Sequence, residues 1–437
     1  MTNKAPLLVG YYPGYATQAQ NYPVADIPAS QLTHVIYAFA NVSTAGKCVS
    51  GSPAEDKINF PQLLQLKQNF PRLRTLISVG GAAESSTFPA AAATQSGRQK
   101  LAQSCVQFMK ANGFDGIDID WEFPSAQDTQ NFTALLVELR QQLDAQGTTD
   151  KRSYLLTIAA PAGPSHYYNI DLAQIHPQLS WINLMTYNFY VASSAVTNLV
   201  APLFPSQGDP APPDTRATHY VDAAVRAYLA AGVPAEKVVM GVRFVATGWQ
   251  GVPNKQNGLF QSNKGPAQGT WDKTGKPTGN FGYQDLKQNY LGSYSRFWNA
   301  DAKVPWLYNP TTQIMISYED QQSLGVKADY AIANNLGGIM VWQLAADDQQ
   351  HSLLSAIAGK LLSDTSGCGL AIAGAAQPGQ ILGTDECAFT TYALSENVGL
   401  AQPTVAFWGP GQTIASNFGS RYQFVGGVVF KNGTGPS

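Results

Sequence analysis

Short apolar runs rich in β-branched and aromatic residues alternate with helical patterns along most of this 437-residue chain. That alternation constrains the fold more than any other feature, because parallel strands need long crossovers and helices supply them. Strands are predicted over 7–12, 32–42, 74–81, 114–123, 154–163, 181–190, 237–249 and 338–348. Helices are predicted over 60–70, 96–113, 129–147, 219–232, 320–337 and 352–362. Eight strands with intervening helices over about 360 residues predict an α/β fold, a (β/α)8 TIM barrel. A doubly wound open sheet is the alternative; no GxGxxG turn follows the first strand to favour it.

The spacing breaks once. Residues 250–319, between strand seven and helix seven, are rich in Gly, Asn, Trp and Tyr and far exceed an ordinary loop. They are expected to form an α+β insertion beside the barrel mouth. The catalytic barrel is then 1–249 with 320–362. Residues 363–437 change character to Gly, Ala and short β runs, which predicts a small β-rich C-terminal module. It is either a packed extension or a binding module.

Charged residues make up 13% of the chain against about 25% in a typical soluble domain, and aromatics make up 11%. That balance suits a neutral partner such as a sugar. The net charge is −2 with no basic run, so nucleic acid is not an expected partner. No apolar run approaches the roughly 20 residues of a membrane span. The N-terminal MTNKAPLLVGYYPGY lacks the pattern of a signal peptide. The four cysteines include no CxxC and the five histidines are scattered, so no metal site is expected from them. Cys368 with Cys387 is a candidate disulfide, Cys48 with Cys105 a weaker one, and four free thiols are the alternative.

The stretch FDGIDIDWEFP at 114–124 sets Asp118, Asp120 and Glu122 at alternate positions. On a strand they share one face, with Ile117, Ile119 and Trp121 on the other. In a barrel, catalytic groups sit at the C-terminal strand ends, so Glu122 is expected at the mouth, with Asp120 and Asp118 progressively deeper. Environments that differ with depth give like groups different protonation. A proton shared by Asp118 and Asp120, with Glu122 a protonated general acid, is the expected arrangement. Three readings are open for these acids: structural, a Mg2+ or Ca2+ site, or acid–base hydrolysis.

DGIDIDWE resembles the signature of family 18 glycoside hydrolases, the chitinase family. SVGG at 78–81, MTYN at 185–188, ISYED at 316–320 and GGIMVWQLAADD at 337–348 resemble other segments of that family in the same order. The resemblance covers roughly 6–362. It implies retaining hydrolysis of β-1,4-linked N-acetylglucosamine polymers through an oxazolinium ion, with no cofactor and no metal. It implies that Glu122 protonates the leaving oxygen and that Asp120, supported by Asp118, orients the acetamido group. Tyr187 would hydrogen-bond the acetamido oxygen, and Trp342 would be the apolar floor. Met185, Asn188, Tyr12, Phe39 and Trp249 are the further candidate substrate-binding residues, and Phe189, Tyr190, Trp271 and Trp306 are additional aromatic candidates at the mouth.

The chain departs from the family in places. Asn188 stands where many relatives have Asp. AAESST at 82–87 lacks a Trp that many relatives place there. Val245 and Thr247 replace a Tyr and an Arg. The expected protein is an extracellular monomer acting on chitin or chito-oligosaccharides. The alternatives are an endo-β-N-acetylglucosaminidase acting on N-glycans, a chitin-binding lectin-like protein, and a docking subunit of a larger complex.

Overall fold

The computed structural model describes residues 5–273 and 275–362, and four short strands beyond them: Tyr392–Ala393, Val405–Ala406, Tyr422–Val425 and Val428–Lys431. The chain divides into two units, Met1–Leu361 and Leu362–Ser437. In the second unit the first two of those strands pair antiparallel, and so do the last two. Cys368, Cys387 and most of 363–437 lie outside the described residues, so the disulfide expected there does too.

In the first unit eight parallel strands close on themselves: Leu7–Pro13, His34–Val42, Arg74–Gly80, Gly116–Asp120, Leu155–Pro161, Trp181–Met185, Val238–Arg243 and Gly338–Trp342. The first strand closes the ring, pairing Leu7 with Gly338 on one side and Val9 with His34 on the other. Both faces of these strands are buried. Val9, Ile36, Leu76, Trp181, Val239 and Met340 pack inside the barrel. Leu8, Val35, Ile117, Ile158 and Ile182 are fully buried on the alternate positions. This is why the strands read as continuous apolar runs, as parallel strands do when helices cover them.

Several boundaries move: strands four, six and eight, expected to reach 123, 190 and 348, end at Asp120, Met185 and Trp342. The helix expected over 60–70 runs Pro53–Asn69, with Pro53 in its first turn and Glu55 and Asp56 beside its positive end. Strand seven, expected over 237–249, stops at Arg243. Ala246–Trp249 instead joins a five-stranded antiparallel sheet with Asn280–Phe281, Ser295–Asn299, Val304–Asn309 and Ile314–Ser317. The break is physical: Thr247 pairs with Asn280 and Ser317, antiparallel neighbours that no parallel barrel strand supplies. A short helical segment, Tyr283–Asp285 running into Leu286–Tyr290, completes an α+β unit.

Cys48 and Cys105 are both free, buried thiols, one on a short edge strand and the other on the helix Gln95–Ala111. Among the described residues no helix is long and apolar enough to cross a membrane.

A buried ion pair fastens the insertion's exit to the barrel. Lys327 is fully buried on the helix Gln321–Ala333 and pairs with Glu319, while its Nζ also donates to the Ala201 carbonyl at 2.7 Å. The Ser323 hydroxyl donates to the other Glu319 oxygen at 2.6 Å. Removing one partner leaves a buried charge unpaired. Lys327→Met should therefore lower unfolding free energy by about 3–5 kcal/mol in urea titrations. Adding Glu319→Gln should recover part of that loss.

Candidate active site

The fourth strand carries the acids, and the alternation places them as the sequence suggests. Ile117 and Ile119 are buried outward; Trp121 stacks on Phe88 at 5.1 Å and meets Phe132 edge-on. Asp118 and Asp120 point inward, 0% and 3% exposed, and Glu122 stands half-buried just past the strand end.

Asp118 is enclosed by donors. The Tyr11 and Ser78 hydroxyls donate to its Oδ2 at 2.8 Å each. The Thr157 hydroxyl and the Asn183 amide donate to its Oδ1 at 2.6 and 3.2 Å. Burial pushes its pKa up and these four bonds offset only part of that, so it stays above the ordinary carboxylate value. Three of the four partners are hydroxyls, which can accept as well as donate, so the cage also accommodates the proton expected to be shared with Asp120. The strand register makes this cage, setting Ser78, Asp118 and Thr157 side by side on three neighbouring strands.

Asp120 has the opposite environment. Its Oδ1 is buried with no hydrogen-bond partner among the described residues. Burial first, then the charges of Glu122 and Asp118, hold its pKa well above the ordinary carboxylate range. Burial pushes Glu122 up to about 7. All three carboxyls of the triad are thus held above their ordinary values.

The third strand's glycines permit this closeness. Gly80 has φ 112°, and a Cβ there would lie 2.3 Å from the Asp120 carbonyl oxygen. A Cβ on Gly81, φ 93°, would lie 2.9 Å from the Phe39 ring. The Ser85 hydroxyl accepts from the Glu122 backbone N–H at 2.8 Å and donates to the Gly81 carbonyl at 2.9 Å, fixing the backbone beneath the acid.

Tyr187 is buried against Met340, its hydroxyl 3.9 Å from the sulfur. Burial and the neighbouring Asp120 and Glu122 hold its proton firmly on. Trp342, half-buried, stacks on Phe39 at 6.0 Å and 25° and tilts against Tyr11 at 5.7 Å. Met185 packs into the same cluster. The arrangement is an aromatic floor beside two protonatable carboxyls, suited to acid–base work on a bond lying over Trp342.

Other candidates are corrected. Tyr12 points out of the barrel: it is fully buried, its hydroxyl is 2.9 Å from the Tyr22 carbonyl, and its ring lies 6.0 Å from Tyr37. Its neighbour Tyr11 takes the inward position, because alternate residues take opposite faces. Trp249 is 0% exposed in the core of the insertion, and Trp306 packs there too, its indole N–H bonded to the Asn257 carbonyl. Neither lines the mouth. Tyr190 donates to Asp209 at 3.0 Å. Asn188 is exposed with φ 59°. The residues not singled out from the sequence are Tyr11, Thr157, Asn183 and Ser85. Thr157 in LLTIAAP and Asn183 in WINLM are each the lone polar side chain of an apolar strand, and that signal is readable without a structure.

Among the described residues no three His, Cys, Asp or Glu side chains converge as a metal-binding group.

The model for the glycosyl hydrolases of family 18 matches residues 7–347. Chitinase A1 of Niallia circulans is 37% identical over 399 residues, 78% of this chain and 56% of that protein. The chain thus spans little more than half of that relative's length. Chitinase B of Serratia marcescens is 34% identical over 424 residues, 82% of this chain and 83% of that protein. The solved structure of chitinase ChiA74 from Bacillus thuringiensis superposes with a TM-score of 0.78 at 35% identity, covering 82% of this chain and 70% of that one.

A carboxyl raised by folding binds its proton more tightly folded than unfolded, so its contribution to stability is full at low pH and is lost as pH rises. For Glu122 the window runs from the ordinary 4.5 to about 7. Glu122→Gln should therefore be more stable than the parent at pH 8, by up to about 3 kcal/mol, and lose that advantage below pH 5. Urea titrations at both pH values check this.

Proposed function

The chain belongs to the family 18 glycosyl hydrolases, and we propose from that membership and the geometry that it hydrolyses β-1,4-linked N-acetylglucosamine polymers, chitin and chito-oligosaccharides. The observation that carries this reading is the acid triad graded in depth, with Asp118 caged by four donors and raised carboxyls at Asp120 and Glu122.

Most retaining glycosidases use a second carboxylate as nucleophile, and this family is an exception in which the substrate supplies it. Glu122, protonated below about pH 7, donates its proton to the leaving glycosidic oxygen. The acetamido oxygen of the same sugar attacks the anomeric carbon and gives an oxazolinium ion. Asp120, whose Oδ1 has no protein partner, accepts the acetamido N–H and orients the carbonyl for attack. Tyr187 donates to the acetamido oxygen and Trp342 carries the sugar's C–H face. Glu122 then takes a proton from the water that opens the ring, restoring the sugar with retained configuration. Asp118 supports Asp120 from below by sharing a proton with it.

The polymer cannot cross a membrane, so the enzyme acts outside the cell. The residues given roles here all come from one chain, so a monomer suffices. Residues 246–317 wall one side of the groove.

Glu122→Gln should reduce chitotetraose hydrolysis by at least about a thousandfold while oligomer affinity stays within a few fold. An equal loss of binding would place the acid's role elsewhere. The wild-type kcat/KM should fall as pH rises through about 7, because the acid must be protonated. Oligomers of glucosamine, which lack the acetyl group, should not be cleaved. Cleavage of them at comparable rates would remove the substrate as nucleophile. Activity should survive EDTA.

A further inference from the structure

The seventh strand ends on a buried cation that the steps above leave unused. Along that strand Val239 packs in the barrel interior and a Cβ on Gly241 would lie 2.9 Å from the Tyr187 ring. Arg243 is the next inward position, and it pairs in register with Trp342, the floor. It is 9% exposed.

Both anchors of its guanidinium are neutral. One terminal nitrogen donates to the Thr247 hydroxyl at 2.7 Å and the other to the Asn280 side-chain oxygen at 2.9 Å. The Nε–H is buried with no hydrogen-bond partner among the described residues. A buried donor left unpaired carries its full desolvation penalty, greatest for a charged group, so a buried orphan asks for a partner. Burial pulls the guanidinium down to about 10, still charged at neutral pH. Its charge is felt by Tyr187 on the inner side and by Tyr15 at the rim.

A second orphan lies nearby. Gln343, next after the floor residue, donates from Nε2 to the Tyr15 hydroxyl at 3.1 Å, while its Oε1 is buried and unpartnered. Tyr15 is 41% exposed. A charged donor in register with the floor residue and a neutral acceptor one residue past it suit a hydroxyl group, which both accepts and donates.

We propose that Arg243 is a substrate-binding residue, donating from Nε to an oxygen of the amino sugar held on Trp342, with Gln343 accepting from a hydroxyl of that sugar. The assignment rests on the chitin-hydrolysing reading above. On its other side Arg243 borders a cavity of about 10 Å3 lined by Val200, Val245, Ser317 and Glu319, room for one water. A water there is the competing partner for Nε.

Calorimetric titration of chitotetraose into the full chain carrying Glu122→Gln decides between them. Adding Arg243→Met should weaken binding about tenfold or more. Arg243→Lys keeps the charge without the Nε donor and should also weaken it, which serves if Arg243→Met does not fold. Thr247→Val removes an anchor but not Nε and should change affinity less than threefold. In the active enzyme Arg243→Lys should raise KM more than it lowers kcat. Unchanged affinity in Arg243→Met or Arg243→Lys overturns the assignment in favour of the cavity water. Thr247→Val weakening binding as much as Arg243→Met overturns it in favour of a purely anchoring role. Absence of any binding by Glu122→Gln alone would instead strike the chitin reading itself.

Discussion

The site depends on one buried carboxyl. Asp118 lies in the barrel interior with no exposure, held by four donors drawn from four other strands: Tyr11, Ser78, Thr157 and Asn183. A buried carboxylate without such partners would be far costlier to keep charged. Above it, burial and then the charges of Glu122 and Asp118 raise Asp120, and burial raises Glu122. The mouth therefore holds protons where chemistry needs them.

The same logic runs outward from the barrel axis. The fourth strand alternates acids inward and Ile117, Ile119 and Trp121 outward, so the strand that carries the chemistry is held by apolar packing on its back. Gly80 and Gly81 let the neighbouring strand end lie against it, and Ser85 fastens the Glu122 backbone. The buried Lys327–Glu319 pair fixes the insertion's exit to the barrel, and Lys287 with Asp348 ties its helix to the eighth-strand loop. An insertion held in this way carries both of Arg243's anchors, Thr247 and Asn280.

Much of this was legible in the chain. Period-two acids on an apolar run put Asp118, Asp120 and Glu122 on one face, and the order of strands and helices gave the barrel. The failures are equally physical. Tyr12 and Tyr11 are adjacent and chemically identical, and a one-residue shift of phase decides which ring faces the axis. Trp249 looked like a mouth residue because its strand seemed continuous with the seventh. The strand changes sheet between Arg243 and Ala246, and nothing in GVRFVATGW marks the switch. Arg243 was not singled out, because a strand running on to Trp249 leaves it in mid-run.

The sequence by itself determined the repeating units, the acid triad and its depth order, because side-chain alternation is a local property of an extended chain. Only the tertiary structure decided which polar groups enclose Asp118, which tyrosine lines the axis and where Arg243 is anchored. Those depend on register between strands far apart in the chain, up to 172 residues for the bond between Asn183 and Tyr11. Such pairings are set by closure of the barrel, and no local pattern encodes them.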